Sequence, residues 1–426
     1  MTDVSPMTQP ITTTSLWRDR DFMRLWSGQT ISEFGSWLGA LSLLAILVLD
    51  ATPTQMGLLE TLRAAPALLL GLLAGVWVDR LRRRPILIAA DLGRALLLGL
   101  VVAAALTGHL TMVYLFAAAF LVGSLTIFFN ISYQAYIPAL VRRERLVEAN
   151  SKLGTTASLA EIASPGLGGT LVELITAPLT LLLDAISYLV SAIFIATIKT
   201  PEQVVEQDVG IEKPRRIWQE ILQGLRIVVT HPLLRPIAGA SALRAFFGGF
   251  FAALYGLFVL REIGLNPVGL GILIGGGGIG AFFGAIFSNR IIQRLGLGRS
   301  IVIGGLISGL LTLLTPLAFG PVPVAFMILL AGQLLGDTAL AIFMIGGLSL
   351  RQSITPDRLL GRINASFEFL VGGVGMAGIM VGGLTGQWLG LRPALGIAAV
   401  GILVSTGWLL LSPLRQVEEA AGWEVG

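Results

Sequence analysis

Eight ionisable side chains interrupt stretches that are otherwise apolar: Glu33, Asp91, Arg94, Glu161, Asp184, Arg244, Asp337 and Glu368. In hydrocarbon each charge costs roughly 2.5–3.5 kcal/mol on insertion scales, so such residues mark ion pathways, substrate contacts or buried ion pairs. A carboxylate in low dielectric favours its neutral form and can exchange a proton nearer neutral pH. Asp91 and Arg94 stand three apart, the spacing at which two side chains of one helix bond each other. The rest of the reactive inventory is thin. There is no cysteine, and histidine occurs only at His109 and His231, in polar loops. Disulfides and thiolate metal sites are thereby excluded, and no histidine constellation exists for a metal or a nucleophilic triad.

The elements that hold these residues are membrane spans. Of 426 residues 54% are hydrophobic and 13% charged, where soluble domains carry about 25% charged residues. A spanning helix needs roughly 20 apolar residues. Runs of that length predict twelve spans, at 22–49, 56–78, 86–107, 112–137, 150–172 and 178–198, then 233–260, 268–289, 300–319, 322–350, 359–388 and 393–411. The expected organisation is an all-α polytopic protein: a cytoplasmic tail (1–21), a six-helix bundle (22–198), a cytoplasmic linker (199–232), a second six-helix bundle (233–411) and a cytoplasmic tail (412–426). The first 21 residues are polar and contain no apolar core ahead of a cleavage site, so they do not read as a signal peptide. Within the linker, Trp218, Ile221, Leu222, Leu225 and Val228 recur at helical spacing, an amphipathic helix suited either to packing on the bundle or to regulation. All lysines and arginines except Arg63, Arg94, Arg244, Arg261 and Arg392 fall on one side of this layout, which the positive-inside rule makes the cytoplasm. Topology accounts for the net charge of +4, and no basic face of a soluble domain points to nucleic acid.

The turn Gly75-Val76-Trp77-Val78-Asp79-Arg80-Leu81-Arg82-Arg83-Arg84-Pro85 resembles the loop between helices 2 and 3 of the major facilitator superfamily, Gly-x-x-x-Asp-Arg-x-Gly-Arg-Arg/Lys. Gly75, Asp79, Arg80, Arg83 and Arg84 match, with Arg82 where the second glycine is usual. Arg24 to Gln29, Asp91 to Arg94 and Leu146 to Asn150 are similar to the branch holding macrolide-efflux and siderophore (enterobactin) exporters, so the resemblance covers nearly the whole chain. It implies two pseudo-symmetric six-helix bundles with a substrate cavity lined by helices 1, 4, 7 and 10. Glu33 and Asp337 lie about 11 and 15 residues into their spans, near mid-membrane at ~1.5 Å per residue. Laying Gly28 on Gly239 places Glu33 on Arg244. Glu33 and Asp337 are therefore expected as protonation and cation-contact sites with Arg244 as counter-charge, and the same residues also fit a structural ion pair. Asn130, Tyr133 and Gln134 suit an amphiphile-binding wall or plain packing. The resemblance implies that Asp79, flanked by Arg80, Arg83 and Arg84, latches onto the positive N-terminus of helix 11. Asp91 and Arg94 are expected to brace that cytoplasmic gate and Asp184 to be structural, while Glu161 and Glu368 suit either purpose.

The halves repeat each other. Gly71 and Gly75 align with Gly280 and Gly284, and Asn150 with Gly168-Gly169 aligns with Asn364 and Gly382-Gly383, as in a duplicated six-helix unit. Gly275 to Gly280 satisfies Gly-x-Gly-x-x-Gly, but a dinucleotide loop must follow a strand and open a helix, and this run lies inside an apolar span. Instead Gly276, Gly280 and Gly284 make a flat face for close helix packing, as do Ala160, Ser164 and Gly168, and Gly378, Gly382 and Gly386. The resemblance implies that helices 2 and 11, and 5 and 8, meet at the seam between halves, where these faces are expected. Ser164 to Gly169, with Pro165, resembles the antiporter signature of helix 5, and is equally a proline kink relieved by small neighbours.

The expected function is a secondary transporter of the bacterial inner membrane, without cofactor or metal. It would export a hydrophobic or amphiphilic small molecule (drug, macrolide or siderophore-like) by alternating access and proton antiport, as a monomer among membrane lipids. A lysolipid or lipid translocator and an uncoupled metabolite facilitator are the rivals. A membrane enzyme or receptor is disfavoured because no acid and nucleophile converge, and an ATP-driven pump because no phosphate-binding Gly-x-x-x-x-Gly-Lys-Ser/Thr loop exists.

Overall fold

The computed structural model describes residues 15–78, 81–202, 214–410, 412 and 414, and among them there are helices but no strand. The first expected span is broken. Asp19 caps α1 (Arg20–Ser36) by accepting the Asp21 and Phe22 N–H groups, and the chain then turns through Gly39 at φ 66°, a left-handed conformation that glycine adopts without strain, into α2 (Ala40–Leu47). There follow α3 (Pro53–Val78), α4 (Arg83–Leu106), α5 (Met112–Leu140), α6 (Leu146–Ile175) and α7 (Ala177–Ala196). The linker holds α8 (Pro214–Thr230). Beyond it lie α9 (Leu234–Leu257, continued by a π turn over Phe258–Glu262), α10 (Pro267–Leu295), α11 (Leu297–Thr312), α12 (Val322–Ile354), α13 (Asp357–Leu389) and α14 (Leu391–Leu410).

Counting α1 with α2 as one, nine spans among the described residues are long and apolar enough to cross a membrane. The other three expected positions are held by α3, by α6, which is diluted with Ser, Thr, Gly and Glu, and by α11, which is only 16 residues long.

Within the first half α4 packs on α5 and α7, α3 on α5, and α1 on α7; within the second, α9 packs on α13 and α14, and α12 on α10 and α11. The halves meet along α6–α10 and α3–α13, the seam that the family resemblance implies. At the end away from the arginine-rich turns the two halves share one apolar core, in which Leu44, Leu59 and Leu181 join Leu254, Leu257 and Leu273. At the basic end the cores are separate. Phe22, Leu87, Phe129 and Ile195 form one, and Leu234, Ile301, Leu350 and Ile363 the other. Among the described residues the halves are therefore joined at one end and have separate cores at the basic end.

The linker helix α8 is anchored to the second half. Ile221 and Val228 are buried, Gly224 lies against Ser366 and the Arg362 carbonyl of α13, and Ser366 Oγ donates to the Ile221 carbonyl at 2.9 Å. Its apolar face is thus a packing face; the Trp218 side chain lies outside the described residues.

Candidate functional site

A cavity of about 460 Å³ opens inside the second half between α9, α11, α12 and α13. Its walls are mostly apolar (Phe251, Leu311, Leu340, Phe343, Phe367) and carry Arg244, Tyr255, Ser308, Gln333 and Asp337 as polar points. Arg244 Nη2 donates to Ser308 Oγ at 2.5 Å, and its guanidinium lies 5.7 Å from the Phe343 ring centroid. Its Nη1 and the Tyr255 hydroxyl are buried with no hydrogen-bond partner among the described residues. Asp337, in electrostatic reach of Arg244, makes no hydrogen bond or ion pair among the described residues. It rests against Gly277 of α10, where a β-carbon would displace its carboxylate. Unused donors and an unused acceptor on apolar walls suit a mainly apolar molecule with one or two polar groups.

Glu33 does not line this cavity. It accepts from Gln29 Nε2 at 2.8 Å, near Tyr133 of α5, whose ring stacks on Phe129 at 5.9 Å. Glu33 and Arg244, aligned by the sequence repeat, thus occupy different surroundings. Asn130 and Gln134 are exposed on α5, as is Glu161 on α6; Glu368 on α13, also exposed, lies at the edge of the 460 Å³ cavity, 3.9 Å from Arg351.

Asp91 and Arg94 form the ion pair that their spacing predicts, deep inside the first half. The guanidinium is held between Phe129 and Tyr188, 4.3 and 4.2 Å from the ring centroids. Arg83 and Arg84 also act within the first half. Their backbone N–H groups donate to Glu202 at 2.8 and 3.3 Å, and the Arg84 side chain donates to the carbonyls of Ile195 and Ala196. Gly75 faces open space, and Asp79 and Arg80, the expected latch, lie outside the described residues.

The glycine faces correct the sequence reading. Gly276, Gly280 and Gly284 do not meet the other half; they lie against Leu330, Leu334 and Thr338 of α12. Gly378 and Gly382 lie against Phe246 and Phe250 of α9, and Gly168 against the Leu38 carbonyl, again within one half. The seam is built by neighbouring positions: Gly169 against Pro267, Gly271 against Pro165, Gly275 against Ile162, and Gly383 against Gly57. A helix turns about 100° per residue, so a stripe displaced by one position faces a different neighbour.

Three further features escaped the sequence reading. At the closed end Arg261 donates to the Ala51 and Ile46 carbonyls at 2.9 and 3.1 Å and pairs with Asp50 at 2.7 Å, while Asn266 Nδ2 donates to Glu173 at 2.9 Å. Both contacts cross the seam. Beneath them is a second cavity of about 320 Å³, lined from both halves by Trp37, Ser42, Glu60, Arg63, Phe251 and Tyr255 among others. There Glu60, 6% exposed, accepts from Ser42 Oγ at 2.8 Å and Arg63 Nε at 2.7 Å. The three-residue spacing of Glu60 and Arg63 was its visible signal, masked by its place near the start of a span.

A two-bundle helical membrane protein, closed at one end over a seam of glycines and holding a polar-studded apolar cavity, has the build of an alternating-access transporter. The family described as "Transmembrane secretion effector" matches residues 11–423, and the chain belongs to this family of major facilitator superfamily transporters. Among curated relatives, an uncharacterized MFS-type transporter, YfiS of Bacillus subtilis (strain 168), is 25% identical over 217 residues, spanning 50% of this chain and about half (51%) of that protein. Among solved structures, a bacterial homologue of the iron transporter ferroportin in its inward-facing state superposes with a TM-score of 0.73 at 18% identity, covering 93% of this chain and 99% of that one. A bacterial homologue of ferroportin in an outward-facing state with soaked iron scores 0.56 at 18% identity, covering 91% of this chain and 98% of that one. A mutant of the nucleoside transporter NupG gives 0.75 at 14% identity, covering 92% and 98%. At these identities the likeness concerns the fold.

Proposed function

We propose that this chain exports a hydrophobic or amphiphilic small molecule, of drug, macrolide or siderophore-like kind, from the cytoplasm of a bacterium in exchange for protons. The observation that carries this reading is the cavity in which Arg244 Nη1 and the Tyr255 hydroxyl have no hydrogen-bond partner among the described residues and the Asp337 carboxylate stands with them on apolar walls. A polar group of the substrate would satisfy the donors, and a proton on Asp337 would compete with a cationic group. The positive-inside rule assigns the basic end, both termini and the linker to the cytoplasm of the inner membrane. The parted basic end is then the inward-open state, and the sealed end is the periplasmic, outer one. The chain acts as a monomer in this reading, with membrane lipid around its apolar flanks.

The test is accumulation of a panel of amphiphiles, ethidium among them, in everted vesicles with and without a pH gradient. Gradient-driven accumulation that Asp337→Asn abolishes is the expected result. Movement that follows substrate concentration alone would instead make the protein an uncoupled facilitator.

A further inference from the structure

The first half holds a titratable cluster that the substrate cavity does not use. Asp91 of α4 and Asp184 of α7 are 0% and 9% exposed, and Arg94, 4% exposed, is the cation in reach of both. Arg94 is committed to Asp91 and clamped between two aromatic rings. Asp184 is left with a contact from Ser187 Oγ at 3.5 Å, too long to count as a strong hydrogen bond. Gly35 of α1 closes over it, because a β-carbon there would strike both Asp184 and Ser187. The groups around Asp184 are thus Arg94 of α4, Gly35 of α1, and Tyr188 and Ser187 of its own helix, with Asp91 on the far side of the shared Arg94. Two carboxyl groups against one guanidinium, away from water, leave an uncompensated negative charge unless one of them carries a proton.

We propose that Asp91, Arg94 and Asp184 form a proton-binding site, connected to the outer cavity through Tyr188 and Ser36. Tyr188 lies on Arg94, and its hydroxyl shares a 2.8 Å hydrogen bond with Ser36 Oγ, which lines the 320 Å³ cavity. Both hydroxyls donate and accept. Ser36 Oγ donates to the Ser32 carbonyl at 2.9 Å; once it turns to Tyr188 it takes a proton from cavity water as it passes its own on, and the Tyr188 proton goes to Asp184, one helical turn away, so each hydroxyl is regenerated. The break between α1 and α2 begins one residue after Ser36. A movement of α1 against α7 would therefore make or cut this route as the halves rock.

The inference rests on the proton-antiport reading but has its own test. Infrared titration of the purified full-length protein follows the carboxylic-acid C=O band with pH and its exchange in heavy water. The expected results are that Asp184→Asn or Asp91→Asn removes part of the titrating band, and that Tyr188→Phe keeps the band but slows its exchange severalfold. Superimposable titrations of wild type and both asparagine variants would overturn the site, and unchanged exchange in Tyr188→Phe would overturn the route. Tyr188→Phe needs no change at the acids, so it remains informative if an asparagine variant fails to fold. Gradient-driven ethidium accumulation by the wild type, together with superimposable titrations, would sink this inference and leave antiport standing. Accumulation by the wild type that ignores the gradient would sink antiport itself.

Discussion

Arg261 holds Asp50 across the seam at 2.7 Å while donating to the backbone carbonyls of Ile46 and Ala51, so one guanidinium of the second half clasps the α2–α3 turn of the first. Asp50 is 93% exposed at its side chain, and exposed ion pairs contribute about 0–1 kcal/mol. The carbonyl bonds, from a charged donor and half-buried, are worth about 1.5–3 kcal/mol each. The clasp is therefore mainly a backbone one.

Arg261→Ala should accordingly shift the population toward the outward-open state by about tenfold or more, since each ~1.4 kcal/mol is a factor of ten, whereas Asp50→Asn should change little. The chain has no cysteine, so Ser42→Cys supplies a unique label in the outer cavity. Its reaction rate with a membrane-impermeant maleimide should rise in the Arg261→Ala background and stay unchanged in Asp50→Asn.

The two kinds of glycine contact should separate in the same way. A β-carbon on Gly383 would meet the Gly57 Cα at 2.8 Å, backbone against backbone across the seam. Overpacking of this kind typically costs 1–3 kcal/mol. In Gly383→Ala that cost falls on the inward-open state and should appear as faster labelling at Ser42→Cys. In Gly280→Ala it falls on the α10–α12 contact inside one half and should appear as a lower unfolding temperature with unchanged labelling.

Glu202 acts as a remote cap. Arg82, at the N-cap position of α4, makes no side-chain cap, and the Glu202 carboxylate accepts the N–H groups of Arg83 and Arg84 instead. Losing a cap costs about 1 kcal/mol. Glu202→Ala should lower thermal stability by that order and speed proteolysis of the linker, and Glu202→Gln should restore most of it.

His231, between α8 and α9, accepts the N–H groups of Leu233 and Leu234 through Nδ1, and burial holds its pKa below the usual value. The neutral ring is the form that folding favours, so the unfolded chain binds the proton first. Its stabilisation is complete above the unfolded value of about 6.5 and is lost as pH falls through the folded value. Thermal unfolding of wild type should weaken on acidification more than that of His231→Asn, which keeps an acceptor without titrating; parallel pH profiles would remove this role.

Much of this architecture is local information and was legible in the residues alone. Apolar run length set where helices lie, the arginines marked one end, and the three-residue step from Asp91 to Arg94 predicted their pair, because each depends on neighbours along one helix. What one helix presents to another is different. Tertiary packing decided that Gly275 rather than Gly276 meets the other half, that Arg244 and Asp337 share a cavity from which Glu33 is absent, and that Asp184 lies beneath Gly35. A rotation of 100° per residue makes such assignments turn on a single position, and that phase is chosen by the fit of the described helices together rather than by any one of them.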